Sequence, residues 1–331
     1  MNASRMKEFE ALRGLSILLL LALHSEIFDP AIFGEALKDI GFFVASFLLG
    51  SFFFLAGYFT EVSLGKPNAN ALRFIWSKFI RIYPPYWLGL LLFIYVLEYD
   101  LNRTALAVYV MNLQAVFAPT FIKSLLTLWY ISMLVVFYIL FGSVMLFVRS
   151  SVGLALVAVV MFAAAFFAHL RWGFFDPRFF QYYPMFLAGV FFCRLADVRV
   201  RLFDLNTLIK LLPAVLSAGL LQWTLNAAFA PTNFVYLLAT YFFMLSWVLL
   251  ALSAFRTRLG DWRVWTWLSS ASLFVYLIHR PLWRLIDTYL NLGPEPRTIL
   301  IHLVPGALLA LVLGYFLQLG YDRLLAALRL K

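Results

Sequence analysis

Apolar residues fill long unbroken runs along this chain, and the short segments between them hold most of its charge. A run of about 20 apolar residues is what an α-helix needs to cross roughly 30 Å of hydrocarbon. The runs predict spans near residues 12–28, 41–60, 84–99, 126–148, 152–170, 179–196, 207–228, 234–254, 267–289 and 299–320, ten in all. An eleventh stretch, 104–118, is short and holds Asn112 and Gln114, which predicts an interfacial or re-entrant segment and not a crossing. Period-two alternation and hairpin signals are absent, which excludes a transmembrane β-barrel. The predicted fold is therefore an all-α polytopic membrane bundle of ten helices plus one short segment. The runs leave no room for a separate soluble domain, so 1–331 reads as a single domain.

Composition agrees with this pattern. The chain is 64% hydrophobic and 13% charged, with a mean hydropathy of +0.91, far above the roughly 45–50% apolar content of soluble domains. A net charge of +10 would suit nucleic acid if the basic residues formed one patch, but they sit at the ends of the runs, so no nucleic-acid partner is expected. Membrane topology accounts for them better. With the N-terminus cytoplasmic and 104–118 not crossing, most Lys and Arg fall inside: Lys66, Arg73, Lys78 and Arg81 in one loop, Arg194, Arg199 and Arg201 in another, Arg256, Arg258 and Arg263 in a third. The first outer loop carries Asp29, Glu35 and Asp39 instead. Both termini are then expected to be cytoplasmic, in what reads as a bacterial inner-membrane protein. Arg13 falls at the inner surface and His24 in the outer half. Arg5 and Lys7 before the first run resemble a signal peptide, but Arg13 interrupts the run and no small-x-small cleavage site follows, so the span is read as uncleaved. The single Cys193 excludes an internal disulfide.

Four clusters carry candidate chemistry. Arg13 and His24 are eleven residues apart in the first run, which returns the second side chain to within roughly 20° of the first with a rise of about 16 Å. Charge in hydrocarbon costs on the order of 2.5–3.5 kcal/mol at mid-helix, so such groups are functional candidates. A neutral imidazole suits a general base, Arg13 suits a phosphate, and Glu10 lies one turn before Arg13. The competing reading has Arg13 snorkelling beside Glu10 while His24 bonds a backbone carbonyl. Asp29, which precedes Pro30, or Glu26 could turn back to orient His24. In the second cluster Arg73, Lys78 and Arg81 precede Pro84 and Pro85, which predict the start of the next span; Lys78 and Arg81 either clamp an anion or simply mark the inner side. In the third, Arg280, Arg284 and Asp287 at i, i+4 and i+7 predict one polar stripe facing the bundle interior, lining a cavity or forming structural salt bridges. The fourth pairs Phe52–Phe59, whose Gly57 permits close helix approach, with Leu128, Trp129, Ser132 and Tyr138, aromatics that are equally explicable as packing.

In this order the stretches resemble the membrane acyltransferase-3 family, whose members move acyl groups, usually acetyl, onto surface glycans or other hydroxyl acceptors. The resemblance covers nearly the whole chain. It rests on the opening Glu10, Arg13, Gly14 and His24, on Phe53–Phe59 with Ala56 where Ser is usual, on Lys78 and Arg81 before Ile82, Tyr83 and Pro84, on Leu128 with Trp129, and on Tyr276, Leu277 and His279. One element departs: many members carry Ser-x-Glu after Leu-Trp, whereas Ser132 is followed by Met133, Leu134 and Val135. No hydrolase-like domain is expected after Lys331, so a second acyl carrier is expected to be another chain.

The resemblance implies an acyl-CoA-dependent O-acyltransferase. It implies His24, Arg13 and Glu10 as catalytic residues, with His24 either a general base or an acyl acceptor, and Arg13, Arg73, Lys78 and Arg81 as contacts to acetyl-CoA or another acyl-CoA. Trp129, Tyr138, Tyr276, His279, Arg280 and Arg284 are expected to meet a glycan or lipid-linked saccharide, within membrane lipids; no metal and no permanently bound cofactor is expected. The main rival is a transporter or flippase whose cavity is lined by the Arg280, Arg284 and Asp287 stripe. A second is an acyltransferase of the unrelated membrane-bound O-acyltransferase fold, centred on His279.

Overall fold

The computed structural model describes residues 6–29, 36–66, 69–99, 101–293 and 295–329. Arg5, Pro30, Glu35 and Lys331 lie outside the described residues. Every regular element among the described residues is helical. In chain order these are α1 (Lys7–His24), α2 (Ala36–Leu64), α3 (Ala71–Val96), α4 (Arg103–Val110), α5 (Gln114–Phe117), α6 (Trp129–Phe147), α7 (Ser151–Trp172), α8 (Pro177–Arg194), α9 (Ala196–Asp204), α10 (Thr207–Asn226), α11 (Phe234–Phe255) and α12 (Arg263–Leu290). A short α13 (Pro296–Ile301) then runs through a π turn at His302–Gly306 into α14 (Ala307–Ala327).

Seven of these segments are long and apolar enough to cross a membrane: most of α2, then α3, α6, α7, α10, α11, and α13 continued as α14. The protein is an integral membrane protein with several candidate spans. The predicted spans 12–28, 179–196 and 267–289 are present as helices α1, α8 and α12, but fall outside that group. Their apolar runs are interrupted by polar residues: Lys7, Glu8, Glu10 and Arg13 on α1, Arg178, Gln181 and Arg194 on α8, Arg280, Arg284 and Asp287 on α12. Hydropathy reports transfer to lipid, and a helix enclosed by other helices need not suit lipid on every face. The stretch 104–118 forms α4 and α5, of eight and four residues, both too short to cross. Hydrogen bonds hold it in place: the Ser132 hydroxyl donates to the backbone carbonyl of Asn112 (2.7 Å) and the Leu125 amide donates to Gln114 Oε1 (3.0 Å).

One predicted boundary is corrected. Pro84 and Pro85 do not open a span: α3 begins at Ala71 and runs through both of them. Proline lacks the amide that would bond the carbonyl four residues earlier, so Pro84 leaves Ile80 without its helical partner. The Tyr321 hydroxyl of α14 donates to that carbonyl instead, which lets the helix continue. Lys78 and Arg81 therefore lie within a continuous helix, one turn apart.

The core is built around α1, which packs between α2, α11 and α12. Gly14 faces Trp265 and Leu268 of α12, and a Cβ there would stand 2.9 Å from Trp265 Cε3, so the two helices meet only because the side chain is absent. Contacts from Lys7 to Asp261, Glu10 to Thr266, and His24 to His279 show that α1 and α12 run parallel. The helices α2 and α8 cross through a reciprocal pair: Gly57 lies against the Phe186 carbonyl and Gly189 against the Phe54 carbonyl, where any Cβ would overlap backbone. Around that crossing Phe53, Tyr130, Phe137 and Phe186 pack ring against ring.

Candidate active site

Helix α1 sets the axis of the site, with His24 at its C-terminal end. His24 Nδ1 lies 2.8 Å from Nε2 of His279 on α12. The rings are nearly coplanar, 5° apart with centroids 5.0 Å apart, which is the arrangement of an in-line N–H···N bond and not of face-to-face stacking. His279 is fully buried, and its Nδ1 stands 3.0 Å from the Val275 carbonyl. A carbonyl only accepts, so the His279 proton sits on Nδ1 and its Nε2 accepts from His24 Nδ1–H. His24 Nε2 is then left with a lone pair and no bond to the described protein. The orienting partner is thus His279, not Asp29 or Glu26.

At the other end, Arg13 joins Lys78 and Arg81 of α3 around a chamber of about 230 Å³. Tyr130 and Tyr138 of α6 and Ser272 and Tyr276 of α12 complete its polar lining, which contains three cations and no carboxylate. The cations rest on ring faces: Lys78 Nζ is 4.7 Å from the Tyr138 centroid and 5.1 Å from that of Phe74, and Arg13 Cζ is 5.5 Å from that of Phe59. Ring faces hold a cation in place without neutralising it, so the chamber keeps its positive potential for an anion. The chamber opens into a vestibule of about 460 Å³ that shares Arg13, Arg81, Ser272 and Leu273 with it and adds Glu10 and Thr266. Tyr276 closes the deep end: its hydroxyl donates to the Thr127 carbonyl and its ring centroid is 6.3 Å from that of His279.

The other predicted residues divide. Glu10 lines the vestibule and accepts from Thr266 Oγ1 at 2.5 Å; fourteen residues of helix, about 21 Å, separate it from His24. Glu10 and Arg13 therefore lie at the vestibule end of α1 and His24 at the other. Arg73 is exposed on the first turn of α3 and lines neither cavity. Trp129 lies outside the chamber, under the guanidinium of Arg178 at 4.0 Å, which Asp176 and Ser124 hold. The predicted α12 stripe breaks up. Arg284 is exposed, Asp287 accepts from His302 at 2.8 Å, and Arg280 keeps a buried Nε without a hydrogen-bond partner. The helix leaves the packed bundle beyond Trp283, so four residues further on the same face is at the surface. Two lining residues not predicted for the site are Tyr130 and Ser272, neither of which carries charge; the run Ser269, Ser270 and Ser272 of α12 was the one signal for Ser272.

No curated protein and no solved structure matches the chain. The family model described as an acyltransferase domain matches residues 6–319, a stretch that takes in the histidine pair, the cationic chamber and the vestibule. On that match, and with an integral-membrane helical bundle to carry it, the chain belongs to the acyltransferase 3 family and is an acyltransferase.

Proposed function

We propose that this protein transfers an acyl group, acetyl foremost, from acyl-CoA entering at the cytoplasmic face to a hydroxyl of a glycan or lipid-linked saccharide. The observation that carries the proposal is that one rigid helix bears both ends of the path, Arg13 in the carboxylate-free chamber and His24 in the histidine pair. The pantetheine arm, by ordinary bond lengths, extends roughly 15 Å. Arg13 and His24 are separated by about 16 Å of rise. A CoA diphosphate held by Arg13, Lys78 and Arg81 would therefore bring its thioester to His24 once the arm passes Tyr276.

The fixed tautomers suit the chemistry. The acceptor hydroxyl gives its proton to His24 Nε2 as its oxygen attacks the thioester carbonyl; the C–S bond then breaks and the leaving thiolate takes that proton back. While His24 is cationic, its Nδ1–H bond to His279 keeps the ring in place and spreads the charge. The same lone pair would also let His24 take the acyl group itself before passing it on.

The ten-span arrangement with both termini cytoplasmic is part of this reading. Parallel α1 and α12 require an odd number of crossings between them, which α2, α3, α6, α7, α8, α10 and α11 supply only if α4 and α5 stay on one side. The transporter alternative loses its support, because the stripe meant to line its cavity is not formed. A centre on His279 alone is disfavoured, because its Nδ1–H lies on the Val275 carbonyl and its Nε2 accepts from His24, which leaves no lone pair for an acceptor hydroxyl.

The test is transfer of isotope-labelled acetyl from acetyl-CoA to a glycan extract in membranes that contain the protein. His24→Ala at equal protein level should lower transfer by on the order of 10²–10⁴. Undiminished transfer would remove His24 from the reaction. Label retained on acid-quenched protein without acceptor, and lost in His24→Ala, would assign the covalent route.

A further inference from the structure

A third cavity, of about 430 Å³, lies between α12 and α14 and continues the path outward from the vestibule, sharing Thr266, Ser270, Gln318 and Asp322 with it. Its remaining lining includes Arg263, Trp267 and Tyr315. The chemistry differs from that of the inner chamber. Trp267 and Tyr315 form an aromatic wall, with ring centroids 5.9 Å apart at 41°. One and two turns beyond Tyr315 on the same face of α14, Gln318 Nε2 donates to Asp322 Oδ2 at 3.2 Å, so a carboxamide and a carboxylate stand together beside the wall. Arg263 is exposed at the first position of α12, where its guanidinium marks the rim. A carboxylate is unfavourable in a site for phosphate alone. Beside aromatic faces it suits a heterocyclic base, whose exocyclic amine donates to it while the ring packs on the wall. One guanidinium at the rim suits one terminal phosphate.

We infer that this cavity receives the 3′-phosphoadenosine end of the donor, with Arg263 on the 3′-phosphate, the Trp267 and Tyr315 wall against the adenine and Asp322 taking its amino group. The inference rests on the acyl-CoA reading above and adds direction to it. If the diphosphate lies at Arg13 and Arg81 and the arm runs towards His24, the adenosine has to leave in the opposite sense. From the chamber through the vestibule, the continuing space leads here. The path follows α12 backwards from Tyr276 through Leu273 and Ser270 to Arg263, thirteen residues and about 20 Å. The 3′-phosphate becomes a feature the protein reads, and 3′-dephospho donors become poor ligands.

Equilibrium binding of acetyl-CoA and of 3′-dephospho-acetyl-CoA to the full chain in lipid nanodiscs tests this directly. The wild-type protein is expected to bind the phosphorylated donor about tenfold more tightly, the scale of one charge-assisted pair. In Arg263→Gln the ratio should fall close to one, in Arg263→Lys it should largely persist, and in Trp267→Ala both donors should weaken together. In the two Arg263 variants, unchanged binding of the dephospho donor reports that the protein is folded; for Trp267→Ala an unchanged Tm does so. Equal affinity for the two donors in the wild type, or an unchanged ratio in Arg263→Gln, overturns the inference and leaves the acyl-CoA reading standing. Binding of neither donor overturns the acyl-CoA reading, and this inference with it.

Discussion

The bond between His24 and His279 decides which nitrogen of His24 keeps a free lone pair. The Val275 carbonyl fixes the proton of His279 on Nδ1, His279 fixes that of His24 on Nδ1, and the lone pair is delivered to His24 Nε2. What matters at position 279 is thus an acceptor in the right place. His279→Gln, whose carbonyl oxygen can accept from His24, should keep a substantial part of the activity. His279→Phe, which fills the space and accepts nothing, should lose on the order of 10²-fold in kcat with a small change in KM for the donor. Steady-state transfer kinetics on the two variants separate an orienting role from a packing role. Equal losses would show that volume, not the hydrogen bond, is what the residue supplies.

Helices reach these positions because particular residues allow close contact or repair a break. Gly57 and Gly189 let α2 and α8 cross backbone against side-chain-free backbone, and no shift of a flexible neighbour can relieve a side chain there. Gly57→Leu should therefore lower stability by more than about 3 kcal/mol, the upper end of ordinary overpacking, seen as a large fall in Tm in detergent. Tyr321→Phe is milder: it leaves the Ile80 carbonyl without its donor in the middle of α3, for a loss of about 1–3 kcal/mol. That variant also tests why the double proline does not end the helix. An unchanged Tm would mean that the carbonyl finds another partner.

The molecule as a whole places a cationic chamber and a histidine pair at opposite ends of α1, an arrangement that, on the proposed reading, would keep a bulky polyanionic donor on one side of the membrane. The proposed topology puts Arg73 inside and Lys123 outside. Single-cysteine variants Arg73→Cys and Lys123→Cys, made in a Cys193→Ala background, should react with an impermeant maleimide from opposite faces of sealed vesicles. Labelling from the same face would reverse every loop after α3, and with it the assignment of α4 and α5 as non-crossing. The side of the donor is set by the same experiment, because Arg73 shares its face with Arg81.

Tyr276 and His279 were marked by the family resemblance. Apolar run length and the positions of charge were sufficient to locate the ten long helices among the described residues, to keep 104–118 from being counted among them, and to mark Arg13, His24, Lys78 and Arg81 as candidates. These follow from local physics: how many residues span hydrocarbon, and what it costs to place a charge there. Helical phase put Arg13 and His24 on one face. It could not show that His279, 255 residues away in the chain, would set the tautomer of His24. Nor could phase decide which charges of α12 face inward, because Arg284 and Arg280 differ by where the bundle ends. The continuity of α3 through Pro84 and Pro85 depends on a tyrosine from α14, and the carboxylate-free chamber on five helices meeting. Such features arise from neighbours in space, and only the tertiary structure brings those neighbours together.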